Sequence, residues 1–337
     1  MDEQQEMKLQ VKFLNLIKRK IGPENSAVYE LSELLGVSID SIYRRMRGET
    51  DLSFEEIMLL TRKYSVSMDM LGDSAPGMVA FHYSMLDNPD HFRRHWIAML
   101  NDLQQIRASV RGEVIYAAID IPIFHHFRYP ALMNFKLFYW QREVISDPAL
   151  KDQKFSEELV DPAIQQVASG IYEAYSRIPS SEIWTEETLN STVKQIRFYY
   201  DSGLFASRED AIRVTNELIS EFDYLEKQIE HGNKADLLAS EPQREGNFSF
   251  YVSDIEIGSN TVLTRRDGGD SIYMGFQTFN TIITTNSRFC SDTELWLKNL
   301  IRKSNLISGV SAKQRYQFFQ SQRNKVNRLR EYILREG

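Results

Sequence analysis

Three glycines, Gly22, Gly36 and Gly48, cut the first 72 residues into short stretches, and the apolar residues inside each stretch recur at helical spacing. Helices this short are marginal alone. The segment is therefore restricted to a small bundle in which several helices share one core. Leu9, Val11, Phe13, Leu14, Leu16 and Ile17 define the first helix, which Gly22-Pro23 stops. Val28, Leu31, Leu34 and Leu35 share a face of a second, over Ala27 to Leu35, ended by Gly36. Ser38 holds the N-cap place of a third, which runs to Met46 and is closed by Gly48. Ser53, with Glu56 three positions on, forms a capping box for a fourth that continues to Tyr64. Asp73-Ser74-Ala75-Pro76-Gly77 is small, polar and turn-forming. The expected organisation is a domain over 1–72 and a linker over 73–78.

The expected fold class is mainly α. A helical domain is expected over 79–240, with amphipathic helices at about 89–111, 130–146, 155–177, 185–201 and 207–231. Glu113 to Ile121, rich in Val and Ile, fits a strand or a buried connection equally, and periodicity does not separate the two. From Asn247 the pattern changes. Phe248, Phe250 and Val252 alternate with polar residues, and β-rich runs at Thr261–Thr264 and Ile272–Thr285 flank Asp267-Gly268-Gly269-Asp270, a hairpin signal. A third region, 241–337, is thus expected to hold a small antiparallel β-sheet near 247–286 and two closing helices, at about 293–304 and 312–335.

Hydrophobic residues make up 42% of the chain, enough for real cores and too many for a disordered polymer. The net charge of −7 is unevenly spread: residues 76–297 carry 20 basic and 32 acidic groups, whereas 298–337 carry 10 basic and 2 acidic. The basic end is expected to pair with the acidic middle, within one chain or across a dimer, rather than with nucleic acid. A single cysteine, Cys290, rules out an internal disulfide and a zinc knuckle. The acidic first residues do not read as a signal peptide, and the longest apolar run, Val114 to Phe124, is too short to span a bilayer. A cytoplasmic protein without a membrane partner is expected.

The stretch from Leu31 to Gly48, Leu-Ser-Glu-Leu-Leu-Gly-Val-Ser-Ile-Asp-Ser-Ile-Tyr-Arg-Arg-Met-Arg-Gly, resembles the phage-repressor (Cro/XRE-type) helix-turn-helix family. Its continuation from Leu52-Ser53-Phe54-Glu55-Glu56-Ile57 through Met70-Leu71 does so too, so that about a fifth of the chain, residues 8–72, is covered. The residues support the same reading independently. Gly36 tolerates the positive φ of a tight interhelical turn. Ile42 and Met46, four apart, share a face, and burying them turns Tyr43, Arg44 and Arg47 outward. The resemblance implies a four- to five-helix domain that binds double-stranded DNA, with Ile39, Asp40 and Arg44 at base edges. It implies phosphate or sugar contacts for Ser38, Tyr43, Arg45 and Arg47, and backbone contacts from Lys18, with Arg19 and Lys20, at the end of the first helix. Arg45 and Met46 depart from the apolar-then-acidic order common in the family, which leaves Arg44 and Arg45 as alternative base readers.

Other constellations point to plain structure. His91 and His95 are four apart on a helix, but Arg93 and Arg94 between them would repel a cation, and no metal site is expected there or at His125-His126 with Asp120. Asp267 to Asp270 lacks the remaining ligands of a calcium loop. No phosphate-cradling glycine loop and no nucleophile elbow occur, so no catalytic residue, cofactor or enzymatic activity is expected. Cys290 and the aromatic stretch Phe135, Phe138, Tyr139 and Trp140 read as core. The expected function is a sequence-specific transcription regulator, a homodimer whose C-terminal region dimerises and senses an unknown effector or protein partner. The alternative is a helical protein-interaction scaffold in which the first domain is auxiliary.

Overall fold

The computed structural model describes residues 9–21, 24–64, 66, 78–235, 246–277 and 280–335. Residues 67–77, which hold the end of the resembling segment and all of the expected linker but Met78, lie outside the described residues. The chain divides into two units, 1–81 and 82–337.

Among the described residues of the first unit four helices, α1 (Leu9–Ile21), α2 (Glu24–Leu35), α3 (Ile39–Arg47) and α4 (Phe54–Tyr64), enclose one core. Phe13, Leu14 and Ile17 of α1 meet Val28 and Leu31 of α2, Ile42 of α3 and Leu60 of α4, with Leu52 and Val66 closing the ends. These apolar residues fall three and four apart, as one buried helix face requires. The capping box of α4 is present, Ser53 N donating to Glu56 Oε2 at 2.8 Å and Glu56 N to Ser53 Oγ at 3.1 Å.

In the second unit the elements run β1 (His82–Tyr83), α5 (Pro89–Ala108), β2 (Glu113–Ala117), α6 (Ile123–His126), α7 (Pro130–Tyr139), α8 (Pro162–Ser176), β3 (Ser180–Trp184), α9 (Asn190–Asp201) and α10 (Arg208–His231). There follow β4 (Phe248–Val252), β5 (Thr261–Arg265), β6 (Ser271–Phe276), β7 (Asn280–Thr284), α11 (Ser287–Arg302), β8 (Asn305–Leu306) and α12 (Ala312–Arg335). Among the described residues the strands form one eight-stranded sheet, β1-β7-β6-β5-β2-β3-β4-β8. Strand β3 pairs parallel with β2 and β4, and the other pairings are antiparallel. The period-two alternation of β2 decides the layers. Val114 and Tyr116 enter a large core with Trp184, Phe248 and Phe250 under the helices, whereas Ile115 and Ala117 enter a smaller core with Ile183, Leu263 and Ile272 under Leu297 and Leu300 of α11.

The mainly α character expected from the sequence is observed, but the sheet is neither small nor purely antiparallel. Strands β2 and β3 belong to it, and both precede the region assigned to β structure. The expected division at 240/241 is likewise replaced by a continuous sheet, since Ser180 to Trp184 pair residue for residue with Phe248 to Val252. The reason lies in β3. Its Ser-Ser-Glu lacks the apolar alternation of a strand, and its polar side chains are buried only because distant residues satisfy them.

Glu182 shows how. The side chain is fully buried. Tyr175 Oη donates to its Oε1 at 2.6 Å, Trp184 Nε1 donates to its Oε2 at 2.9 Å, and His125 Nε2 lies 2.9 and 3.0 Å from the two oxygens. Burial alone would raise this carboxyl, but the His125 charge and hydrogen bond, with Lys234 nearby and the Tyr175 hydroxyl, hold it below its ordinary value.

The basic C-terminal segment docks on acidic α10. Arg323 of α12 pairs with Asp223 at 2.7 Å and with Glu226, Arg315 reaches Glu230 at 3.4 Å, and Arg330 donates to Asn216 at 2.7 Å, so the two helices run antiparallel. The expected pairing of basic end and acidic middle is thus met within one chain. Among the described residues, no helix is long and apolar enough to cross a membrane.

Candidate nucleic-acid interface

Helix α3 is fixed at both ends by local chemistry. Gly36 takes φ 65° in the turn before it, and Ser32 Oγ donates to Val37 O at 2.6 Å. Ser38 is extended and caps the helix, accepting from Ser41 N at 3.3 Å. Gly48, at φ 73°, ends it in the left-handed conformation, and Glu49 N donates to Arg44 O at 2.9 Å. Gln10 of α1 then holds the exit loop: its Nε2 donates to Arg45 O at 3.0 Å and Thr50 O at 2.7 Å, and its Oε1 accepts from Leu52 N at 2.7 Å. The sequence reading missed Gln10, because its partners lie 35 to 42 residues downstream.

Ile42 anchors α3 in the core, with Met46 and Tyr43 packed partly against it. Tyr43, expected on the outside, is half-buried. Ile39, Asp40, Arg44 and Arg47 are exposed. Arg44 Nε lies 3.0 Å from Asp40 Oδ2 across one helical turn, and Arg47 Nε lies 2.6 Å from Glu49 Oε1. Such exposed pairs are worth about 0–1 kcal/mol, so either arginine can exchange its partner for another anion or acceptor at little cost.

Arg45 behaves differently. Its side chain is only 12% exposed, its Nη2 donates to Glu56 Oε1 at 2.9 Å, and Ser41 Oγ accepts from its Nη1. The group therefore ties α3 to α4 instead of joining the exposed face on which it was expected. Of the two alternative base readers, Arg44 is the one on the outside. Ser38 is exposed, with its hydroxyl engaged in the cap, and Lys18 is half-buried on α1. The exposed face of α3 and its exit loop thus carries Arg44 and Arg47 against Asp40 and Glu49, a balance that offers few phosphate contacts.

The remaining constellations resolve into structure. His91 Nδ1 pairs with Asp87 at 2.6 Å. Asp267 accepts from Val110 N at 3.0 Å and Arg111 N at 3.3 Å, tying the β5–β6 turn to the connection between α5 and β2. Phe135 and Phe138 are fully buried, and burial with the Asp270 charge pushes the Cys290 thiol up to about 11. Among the described residues, no group of three or more His, Cys, Asp or Glu side chains is placed to hold a metal ion.

Burial pushes the His95 imidazole down to about 4. Its unfolded-state value is about 6.5, so between these limits the unfolded chain binds more protons and stability falls as the pH falls. His126, buried and held low, acts in the same sense, and Glu221, held high, acts against it. Urea titrations at pH 6.5 and 4.5 should show His95→Gln losing less stability on acidification than the parent chain, by about 2 kcal/mol. Equal losses in the two proteins would contradict this.

No protein-family model, curated protein or solved structure matches the chain.

Proposed function

We propose that the chain is a sequence-specific DNA-binding transcription regulator of the phage-repressor type, acting in the cytoplasm as a homodimer. The first unit reads DNA, and the second dimerises and receives a signal. The observation that carries this reading is the exposed face of α3. A capped nine-residue helix, anchored through Ile42 and braced by Gln10 and the Arg45–Glu56 pair, leaves Ile39, Asp40 and Arg44 uncovered at its first turns. A helix of this kind fits the major groove, and arginine can bond guanine O6 and N7 in a bidentate manner. Because the face is electrically balanced, one copy supplies little non-specific affinity. Two copies related by a two-fold axis would read half-sites about 34 Å apart.

A gel shift with the full chain on DNA from upstream of its own gene tests the proposal. The expected result is a shifted band that survives excess non-cognate duplex and weakens steeply with salt. Binding of every duplex equally, or of none, would count against it.

A further inference from the structure

We propose that the buried polar patch formed by His126, Lys136, Thr192, Gln195 and Glu221 in the second unit is a binding site for a small zwitterion of the amino-acid class. To name that zwitterion an effector rests on the regulator reading above, whereas its binding does not.

The patch lies beyond the carboxyl ends of two parallel strands. His126 is on α6, after β2, and Thr192 and Gln195 are on α9, after β3, while α7 and α10 supply Lys136 and Glu221. Open α/β sheets take their ligands at this end, where helices begin and backbone turns away from the sheet. The groups form a chain. Glu221 Oε2 and His126 Nδ1 are 2.7 Å apart, His126 Nε2 is 3.4 Å from Thr192 Oγ1, and Lys136 Nζ donates to Thr192 Oγ1 at 3.2 Å and to Gln195 Oε1 at 2.7 Å. Gln195 is half-buried and carries the patch toward solvent, and the half-buried Asp120 acts on Lys136 and His126 through its charge.

Two valences are left over. Glu221 is 2% exposed, and its Oε1 has no hydrogen-bond partner among the described residues. Lys136 makes two hydrogen bonds where an ammonium can make three. An unpartnered carboxyl oxygen at this depth is costly, and the His126 pair does not relieve it. Burial raises Glu221 and lowers His126, so both groups are pushed toward their neutral forms, joined through Oε2 and Nδ1, and Oε1 is left as an acceptor. The site thus offers one cationic donor and one acid-derived acceptor, which suits a ligand with a carboxylate at one end and an ammonium at the other.

The backbone beside it is also unusual. Helix α7 passes into a π-helical turn over Trp140–Val144, followed by Ser146 at φ 56°. Such turns are frequent at functional sites. The Trp140 ring lies 5.3 Å from Lys136 Nζ, so a ligand on that ammonium changes the surroundings of an indole.

The test is a melting and tryptophan-fluorescence screen of the full chain, without DNA, against each of the twenty standard amino acids. Acetate and methylammonium serve as one-ended controls. The expected result is that at least one amino acid raises the melting temperature by about 2–6 °C and alters the emission, while neither control does so. Glu221→Leu and Lys136→Met should each abolish the effect, whereas Glu221→Gln, which keeps a carbonyl acceptor at Oε1 and a donor toward His126, should retain it. If Lys136→Met does not fold, Gln195→Ala, at the half-buried end, should weaken it. No shift with any amino acid, an equal shift with acetate alone, or a shift retained in Glu221→Leu would overturn the proposal and leave an internal water as the partner of Glu221. Loss of DNA binding in the gel shift would not affect this result, so the two readings fail separately.

Discussion

Replacing Glu182 with alanine is expected to lower the unfolding free energy of the second unit by about 3–5 kcal/mol, the usual cost of removing one partner from a buried ion pair. The substitution leaves the Tyr175 hydroxyl, the Trp184 indole N–H and the His125 ring without their shared acceptor, and it removes the Glu182 charge that acts on the buried Lys234. The same residues join β3 to the helical layer, because His125 is on α6 and Tyr175 on α8. Glu182→Gln keeps the shape and half of the acceptor capacity, and should cost less, about 1–3 kcal/mol. Urea denaturation followed by far-ultraviolet circular dichroism measures both. If both variants stay within about 0.5 kcal/mol of the parent, as surface substitutions do, the carboxylate is not what makes a polar β3 tolerable at the centre of the sheet.

Arg44→Ala should weaken binding to a cognate duplex about 5- to 150-fold, equivalent to about 1–3 kcal/mol for one lost bidentate base contact. Binding to a scrambled duplex should change little, because a base contact carries sequence information and a phosphate contact does not. Arg45→Met is the informative comparison. Its guanidinium is taken up by Glu56, so the variant should lose about 1 kcal/mol of stability in the first unit and keep its DNA preference. Titrating fluorescent duplexes with both variants reads the two effects side by side. A reversed pattern, with Arg45 the specificity residue, would mean that α3 meets DNA through a face turned toward α4.

What could be read from sequence was local. The glycine punctuation, the Ser38 cap, the Ser53–Glu56 box and the i, i+4 placement of Ile42 and Met46 act within a few residues, and the first unit follows from them. Long amphipathic runs also gave α5, α10 and α12 within a few residues of their observed ends. The sheet was harder, because a buried strand is recognised by apolar alternation and β3 has little of it. Its carboxylate is satisfied by His125, 57 residues away. His126 likewise meets Glu221 across 95 residues. A pair of adjacent histidines gives no sign in sequence of where their carboxylates are. At α3, spacing alone left Arg44 and Arg45 open. The difference between them came from Glu56, which was legible as a cap and not as an ion-pair partner.

The most direct test is selection from a pool of random duplexes by the full chain, run in parallel with Arg44→Ala. Enrichment of two inverted half-sites one helical turn apart, with a G·C position in each that the variant ceases to require, is the predicted result. No enrichment, or the same preference in both proteins, would contradict it.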